Sequence, residues 1–215
     1  MKRFMILAAA LLVSGAAVAQ GEYHDQRRSL FEVLPICSSD IVFVGNSITD
    51  GCEWGELFDN RHVKNRGISA DRTAWLLERL DPIIEGHPKK LFVMIGINDL
   101  AAGASPERIV ADVARLINRF QQESKWTKIY IQSILPVNGK DFSKFPGHYA
   151  HGDLIVTTNK RLEALCDEKG VTYLDVWGAL ADDEGRLDVR YTNDGLHLMG
   201  EGYLVWRDAI KPYVK

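Results

Sequence analysis

Residues 41–51 read IVFVGNSITDG, an apolar run that stops abruptly at Gly45-Asn46-Ser47. A serine in that place is either the cap of the next helix or a nucleophile standing at the end of a buried strand. Its hydroxyl is weakly nucleophilic until a base takes the proton, and histidine does this near neutral pH. The stretch NDGLHLMGEGY near the C-terminus supplies His197, with Asp194 three residues before it. A tight turn would bring that carboxylate to the second ring nitrogen, where an acceptor fixes the tautomer and stabilises the imidazolium. Asp175, after VTYL, is a rival acid. Acyl transfer also needs fixed donors for a developing oxyanion, one of which is worth roughly 3 kcal/mol in the transition state. The backbone N–H of Ser47, the backbone N–H of Gly67 and the side chain of Asn98 are the candidates. Each residue taken alone also has a dull role: a cap, a turn, a loop amide, a surface histidine.

The elements that must position these groups follow from the hydrophobic pattern. Strands are expected at Ile41–Val44, His62–Asn65, Leu91–Ile95, Lys128–Ser133 and Val171–Asp175, most of them short apolar runs of the kind buried on both faces. Ile109, Val113, Leu116, Ile117 and Phe120 keep one helical face, and Ser105-Pro106-Glu107 is a good helix start. Trp75, Leu76, Leu80 and Ile84 suggest a second helix, Leu154–Lys169 closed by Gly170 a third, and Gly202–Tyr213 a fourth. Strand and helix alternate, which implies a three-layer α/β/α sandwich around a mostly parallel sheet. In such sheets ligands bind outside the carboxyl ends of the strands, and Ser47, Gly67 and Asn98 all fall there. The one long irregular stretch, Val137–Gly152, carries Phe142, Phe145, His148, Tyr149 and His151, and is either a plain surface loop or a wall of the site.

Composition narrows the setting. Lys2 and Arg3 precede an apolar stretch from Phe4 to Val13, and Ala17-Val18-Ala19 ends it, so residues 1–19 are expected to be a signal peptide and 20–215 a single domain, exported to the periplasm or secreted. No later stretch has the roughly 20 apolar residues of a membrane span. Without Lys2 and Arg3 the net charge moves from −3 to −5, and nothing suggests the basic patch of a nucleic-acid binder. Cys37, Cys52 and Cys166 are an odd number, so at least one thiol is free; Cys37 and Cys52 flank the serine and either bridge or remain free thiols. Oligomeric state is left open.

Gly45-Asn46-Ser47-Ile48-Thr49, Gly67, Gly96-Ile97-Asn98-Asp99 and Asp194-Gly195-Leu196-His197 together resemble, in order, the four sequence blocks of the SGNH hydrolases, the GDSL-type lipases and esterases. The stretches EWGELF, NRGISADRT and SILPV are most similar to the platelet-activating-factor acetylhydrolase-like and bacterial carbohydrate acetylesterase branches. The resemblance implies a flavodoxin-like five-stranded parallel sheet, a serine hydrolase acting on ester bonds with Ser47, His197 and Asp194 as its triad, and Ser47, Gly67 and Asn98 as its oxyanion hole. It implies no metal and no cofactor. Asn46 departs from the aspartate of the GDS motif, a change expected to adjust local hydrogen bonding only. Thr49 stands where the α/β-hydrolase elbow G-x-S-x-G has its second glycine, which excludes that fold.

The reading is thus an esterase that removes short acyl groups, most simply acetyl, from a small-molecule or glycan ester. A lysophospholipase or thioesterase working on longer chains is the alternative within the enzyme class. A non-catalytic carbohydrate-binding protein is the alternative outside it, with Trp54, Trp177 and Tyr149 stacking on sugar rings; Trp54 and Tyr149 are the substrate-binding candidates. His148 and His151 raise a metal hydrolase as a third idea, a poor one without an H-E-x-x-H pattern.

Overall fold

The structure, a computed structural model, describes residues 21–215. The expected signal peptide lies outside the described residues. Among them, five strands form one sheet: β1 Ile41–Gly45, β2 Val63–Gly67, β3 Lys90–Met94, β4 Lys128–Gln132 and β5 Thr172–Leu174. All neighbours pair in parallel in the order β2-β1-β3-β4-β5, the flavodoxin-like order. The helices are α1 over residues 21–33, α2 Ser47–Asp50, α3 Trp54–Leu57, α4 Thr73–Leu77, α5 Asp81–Glu85, α6 Ile97–Ala101, α7 Pro106–Glu123, α8 Pro146–Tyr149, α9 Gly152–Lys169, α10 Trp177–Leu180 and α11 Gly200–Val214. None is long and apolar enough to cross a membrane.

Strand residues alternate between two cores because successive side chains leave a strand on opposite faces. Val42, Val44, Leu91, Val93, Ile129 and Ile131 face the layer built by α4, α5, α7 and α9. Ile41, Phe43, Phe92, Met94 and Tyr130 face the other, where Trp54, Trp206 and Ile210 wait on α3 and α11. The register places Phe43 beside Phe92 and Phe92 beside Tyr130, and each pair of rings stacks with centroids 4.6 Å apart. Trp54 extends the stack, 4.3 Å from Phe43 and nearly parallel to it.

One expected helix is two. The pattern Trp75, Leu76, Leu80, Ile84 is divided between α4 and α5, because Pro82 occupies the first turn of α5, has no N–H for a continuing helix and drives the preceding turn out of it. Residues 137–152 contain α8 rather than a wholly irregular loop, and α9 begins at Gly152, two residues ahead of expectation. All three cysteines are free thiols, so the possible Cys37–Cys52 bridge is absent: Cys52 is enclosed beneath the sheet while Cys37 is exposed beside Ser39. Burial pushes the Cys52 thiol up to about 12, reinforced by Glu53.

Phe92 is fully buried at the centre of the stack. Phe92→Ala is expected to lower unfolding stability by about 3–5 kcal/mol through lost transfer energy and a residual cavity. Urea unfolding read by circular dichroism measures this, with the slope against urea unchanged.

Candidate active site

The carboxyl ends of β1, β2 and β3 converge on one rim. β1 ends at Gly45, and buried Asn46 caps α2 by accepting from the Ile48 N–H with its Oδ1 at 3.1 Å. This leaves the buried Asn46 Nδ2 without a partner, a local cost of the asparagine cap. Ser47 is the first residue of α2, where a backbone N–H has no acceptor within the helix. Its Oγ lies 3.0 Å from His197 Nε2, and His197 Nδ1 lies 2.8 Å from Asp194 Oδ2. A carboxylate only accepts, so Nδ1 carries the ring proton, Nε2 is bare, and the Ser47 hydroxyl donates to it.

The turn that brings Asp194 and His197 together is built from its own residues. Asp194 Oδ1 accepts from the N–H groups of Leu196 and His197 at 3.0 and 2.8 Å, and Thr192 Oγ1 accepts from those of Asp194 and Gly195. Gly195 has φ +76°, a region that favours glycine, and a Cβ there would lie 2.4 Å from Asn138 O. Burial raises the Asp194 carboxyl, but the His197 backbone N–H, the His197 ring and the Leu196 N–H outweigh it and hold it below the usual carboxylate range. Asp175 is elsewhere: its Oδ1 accepts from the Gly178 N–H at 3.1 Å.

The expected oxyanion donors meet the same rim, with one difference. Gly67 pairs with Gly45 across the sheet, and a Cβ on it would lie 2.3 Å from Asp50 N, so only glycine lets α2 approach β2. Its N–H donates to Asn65 Oδ1 at 2.8 Å and is already engaged. Asn98, in the first turn of α6, donates from Nδ2 to Asp71 O at 3.0 Å and accepts at Oδ1 from His148 Nε2 at 3.0 Å. The Nε2 of His148 is therefore committed to this amide.

A profile of the GDSL-like Lipase/Acylhydrolase family matches residues 43–205, a span that runs from β1 through the Asp194–His197 turn. The chain belongs to this family. It is an ester-hydrolysing enzyme. The human platelet-activating factor acetylhydrolase IB subunit alpha2 is 26% identical over 170 residues, covering 76% of this chain and 71% of that one. A solved structure from Streptococcus pneumonia, provisionally described as a platelet activating factor, is 28% identical with a TM-score of 0.85, covering 98% of this chain and 99% of that one. A catalytic mutant of Axe2, an acetylxylan esterase from Geobacillus stearothermophilus, shares the fold at 17% identity and a TM-score of 0.67, covering 84% of this chain and 96% of that one.

Several residues at the site carry no motif. Ser47 opens into a cleft of about 460 Å³ bordered by Tyr23, Asp50, Gly51 and Ser69. Tyr23 comes from α1, and its hydroxyl donates to Asp50 Oδ2 at 2.7 Å while Arg27 reaches Asp50 Oδ1 at 3.2 Å. A larger cavity of about 760 Å³, lined by Phe142, Tyr149 and Trp177 among others, lies against the 137–152 segment and includes none of Ser47, His197 and Asp194. Trp54 is not a substrate contact: it is 1% exposed, stacked in the core, with its indole N–H on Thr49 O. Tyr149 lines the larger cavity and donates its hydroxyl to Asp194 O, which ties α8 to the histidine turn.

Below the rim lies a buried ion pair. Arg79 Nε donates to Asp71 Oδ2 at 2.8 Å, with side chains 3% and 0% exposed. Removing one partner of such a pair strands the other charge and costs about 3–5 kcal/mol. Arg79→Ala is expected to show a loss of that size in urea unfolding and to lower kcat as well, because Asp71 holds Asn98.

The depressed Asp194 carboxyl has a pH signature. Its contribution to stability is complete above the ordinary carboxylate value of about 4 and is lost as pH falls through its lower folded value. Asp194→Asn is therefore expected to lose less stability than the wild type between pH 6 and pH 2, as read from urea midpoints across that range.

Proposed function

We propose that the protein is a serine esterase that removes short acyl groups, most simply acetyl, from a hydrophilic alcohol such as a carbohydrate hydroxyl. The chain of contacts from Ser47 Oγ through His197 to Asp194 carries the catalytic part of this reading. His197 Nε2 takes the Ser47 proton as Oγ attacks the ester carbonyl, and the tetrahedral oxyanion meets the Ser47 N–H and the second N–H of Asn98 Nδ2. The Gly67 N–H joins them by sharing or releasing Asn65. Protonated His197 then gives its proton to the departing alcohol, leaving an acyl group on Ser47. A water deprotonated by the same Nε2 hydrolyses that acyl-enzyme and restores the serine.

The short-acyl part rests on the cleft. Its border is a tyrosine, an aspartate, a serine and a glycine around Ser47, polar groups suited to a hydroxylated leaving group and unsuited to a long hydrocarbon chain. The acetylxylan esterase activity named for Axe2, a protein of the same fold, agrees with it. Export rests on the sequence of residues 1–19 alone, and N-terminal sequencing of protein recovered from the cell envelope is expected to begin at Gln20.

Hydrolysis of p-nitrophenyl esters from acetate to palmitate, with wild type beside Ser47→Ala, tests the function. Turnover is expected on acetate and propionate, falling with chain length, and absent from Ser47→Ala to within the roughly 10³–10⁴-fold residual catalysis that binding and oxyanion donors alone provide. A preference for long chains would transfer the reading to lipid substrates, and turnover undiminished in Ser47→Ala would remove the mechanism. A fluorophosphonate that leaves Ser47 unlabelled would indicate a binding protein instead.

A further inference from the structure

A carboxamide can sit in its site in two orientations, and its two partners, Asp71 O and His148 Nε2, decide together which one Asn98 adopts. Asp71 O only accepts, so the NH₂ end of Asn98 belongs against it, where Nδ2 is found at 3.0 Å. This turns Oδ1 toward His148 Nε2 at 3.0 Å. A carboxamide oxygen also only accepts, so Nε2 carries the proton and His148 donates. Half a turn of the amide would set Oδ1 against Asp71 O, two acceptors, and Nδ2 against a His148 ring that carries its proton on Nε2, two donors. In the observed orientation one Nδ2 hydrogen goes to Asp71 and the second is free.

The support for His148 comes from the same short element. It lies in α8, and its ring meets Phe145 edge-on with centroids 5.7 Å apart; Phe145 in turn meets His197 at 5.3 Å. Tyr149, the next residue, bonds Asp194 O. Thus α8 and its capping residue Phe145 touch His197, Asp194 and the Asn98 amide together. Burial, then His197 and His151, lower the His148 ring below the ordinary histidine range, which keeps it a neutral donor at neutral pH.

We propose that His148 is a positioning residue for ester hydrolysis, whose Nε2–H fixes the Asn98 carboxamide so that its free Nδ2–H faces the oxyanion formed on Ser47. This rests on the reading of Ser47 and Asn98 given above. The 137–152 segment then orients a transition-state donor, and its effect belongs in kcat, because a donor that acts only on the oxyanion leaves ground-state binding alone.

The experiment is steady-state hydrolysis of p-nitrophenyl acetate by the wild type, His148→Ala, His148→Phe, His148→Gln, Asn98→Ala and the Asn98→Ala/His148→Ala double variant. Asn98→Ala is expected to lose about 100- to 1000-fold in kcat, the usual effect of removing one oxyanion donor, and His148→Ala about tenfold of this with KM within about twofold. His148→Phe keeps a ring against Phe145 without an N–H and is expected to lose as much as the alanine variant. His148→Gln restores a donor and is expected to recover part of the rate. The double variant is expected to be no slower than Asn98→Ala, since the amide that His148 orients is gone. Losses that multiply in the double variant, a wild-type kcat in His148→Phe, or a raised KM at constant kcat would each overturn the positioning role while leaving the esterase reading intact. Full turnover in Asn98→Ala would overturn this inference and leave the Ser47 mechanism standing, whereas full turnover in Ser47→Ala would overturn the serine mechanism and this inference with it.

Discussion

The site depends on one buried ion pair beneath it. Arg79 and Asp71 are almost wholly withdrawn from water, a condition charges tolerate only when paired and fully hydrogen-bonded. Arg79 uses its remaining N–H groups on Arg66 O and Gly45 O, carbonyls at the ends of β2 and β1. Asp71 takes the charge through its carboxylate and offers its backbone carbonyl to Asn98. One guanidinium therefore spans the strand ends that lead into Ser47 and Gly67, and its partner holds the amide that faces them. Such a network resists displacement, because breaking one of its buried bonds leaves a polar group bare. Positions within such a network are held to the small tolerance that proton transfer and oxyanion binding require.

The histidine arm is held differently. Asp194 and His197 belong to one tight turn, so their contact is local and needs little from the rest of the chain. What is long-range is the approach of that turn to Ser47, separated by 150 residues in sequence. It is set by α8 and the start of the 137–152 segment: Tyr149 bonds Asp194 O and the Asn138 N–H bonds Gly195 O. Ser47 and His197 thus arrive from opposite ends of the chain on scaffolds of different kind, a strand end and a pinned loop.

Much of this was legible beforehand because its causes are local. Five buried strands and their order of appearance follow from short apolar runs, and the long helices α7 and α9 from period and caps at Ser105 and Gly170. The three groups Ser47, Asp194 and His197, brought into contact by the fold, were marked by residue type at strand ends and in the last turn. Departures came where a local break or the tertiary context overrode the pattern. Pro82 divides a helix whose apolar period runs through it. Trp54, an aromatic next to the nucleophile in sequence, is drawn into the stack under β1 because burying a large ring outweighs displaying it. Cys37 and Cys52, for which the sequence left a bridge or free thiols open, are free because one faces solvent and the other the core.

By itself, then, the sequence determined the sheet, the long helices and the candidate reacting groups, since backbone preference, burial pattern and side-chain chemistry are properties of short segments. Only the tertiary structure decided which groups support them. The Arg79–Asp71 pair, the donation of His148 to Asn98 and the seating of Tyr23 over Asp50 join residues 8, 50 and 27 positions apart. No local period or motif encodes such contacts. They arise when parallel strands and their loops are packed at fixed spacing and each buried polar group must find a partner among whatever the fold places beside it.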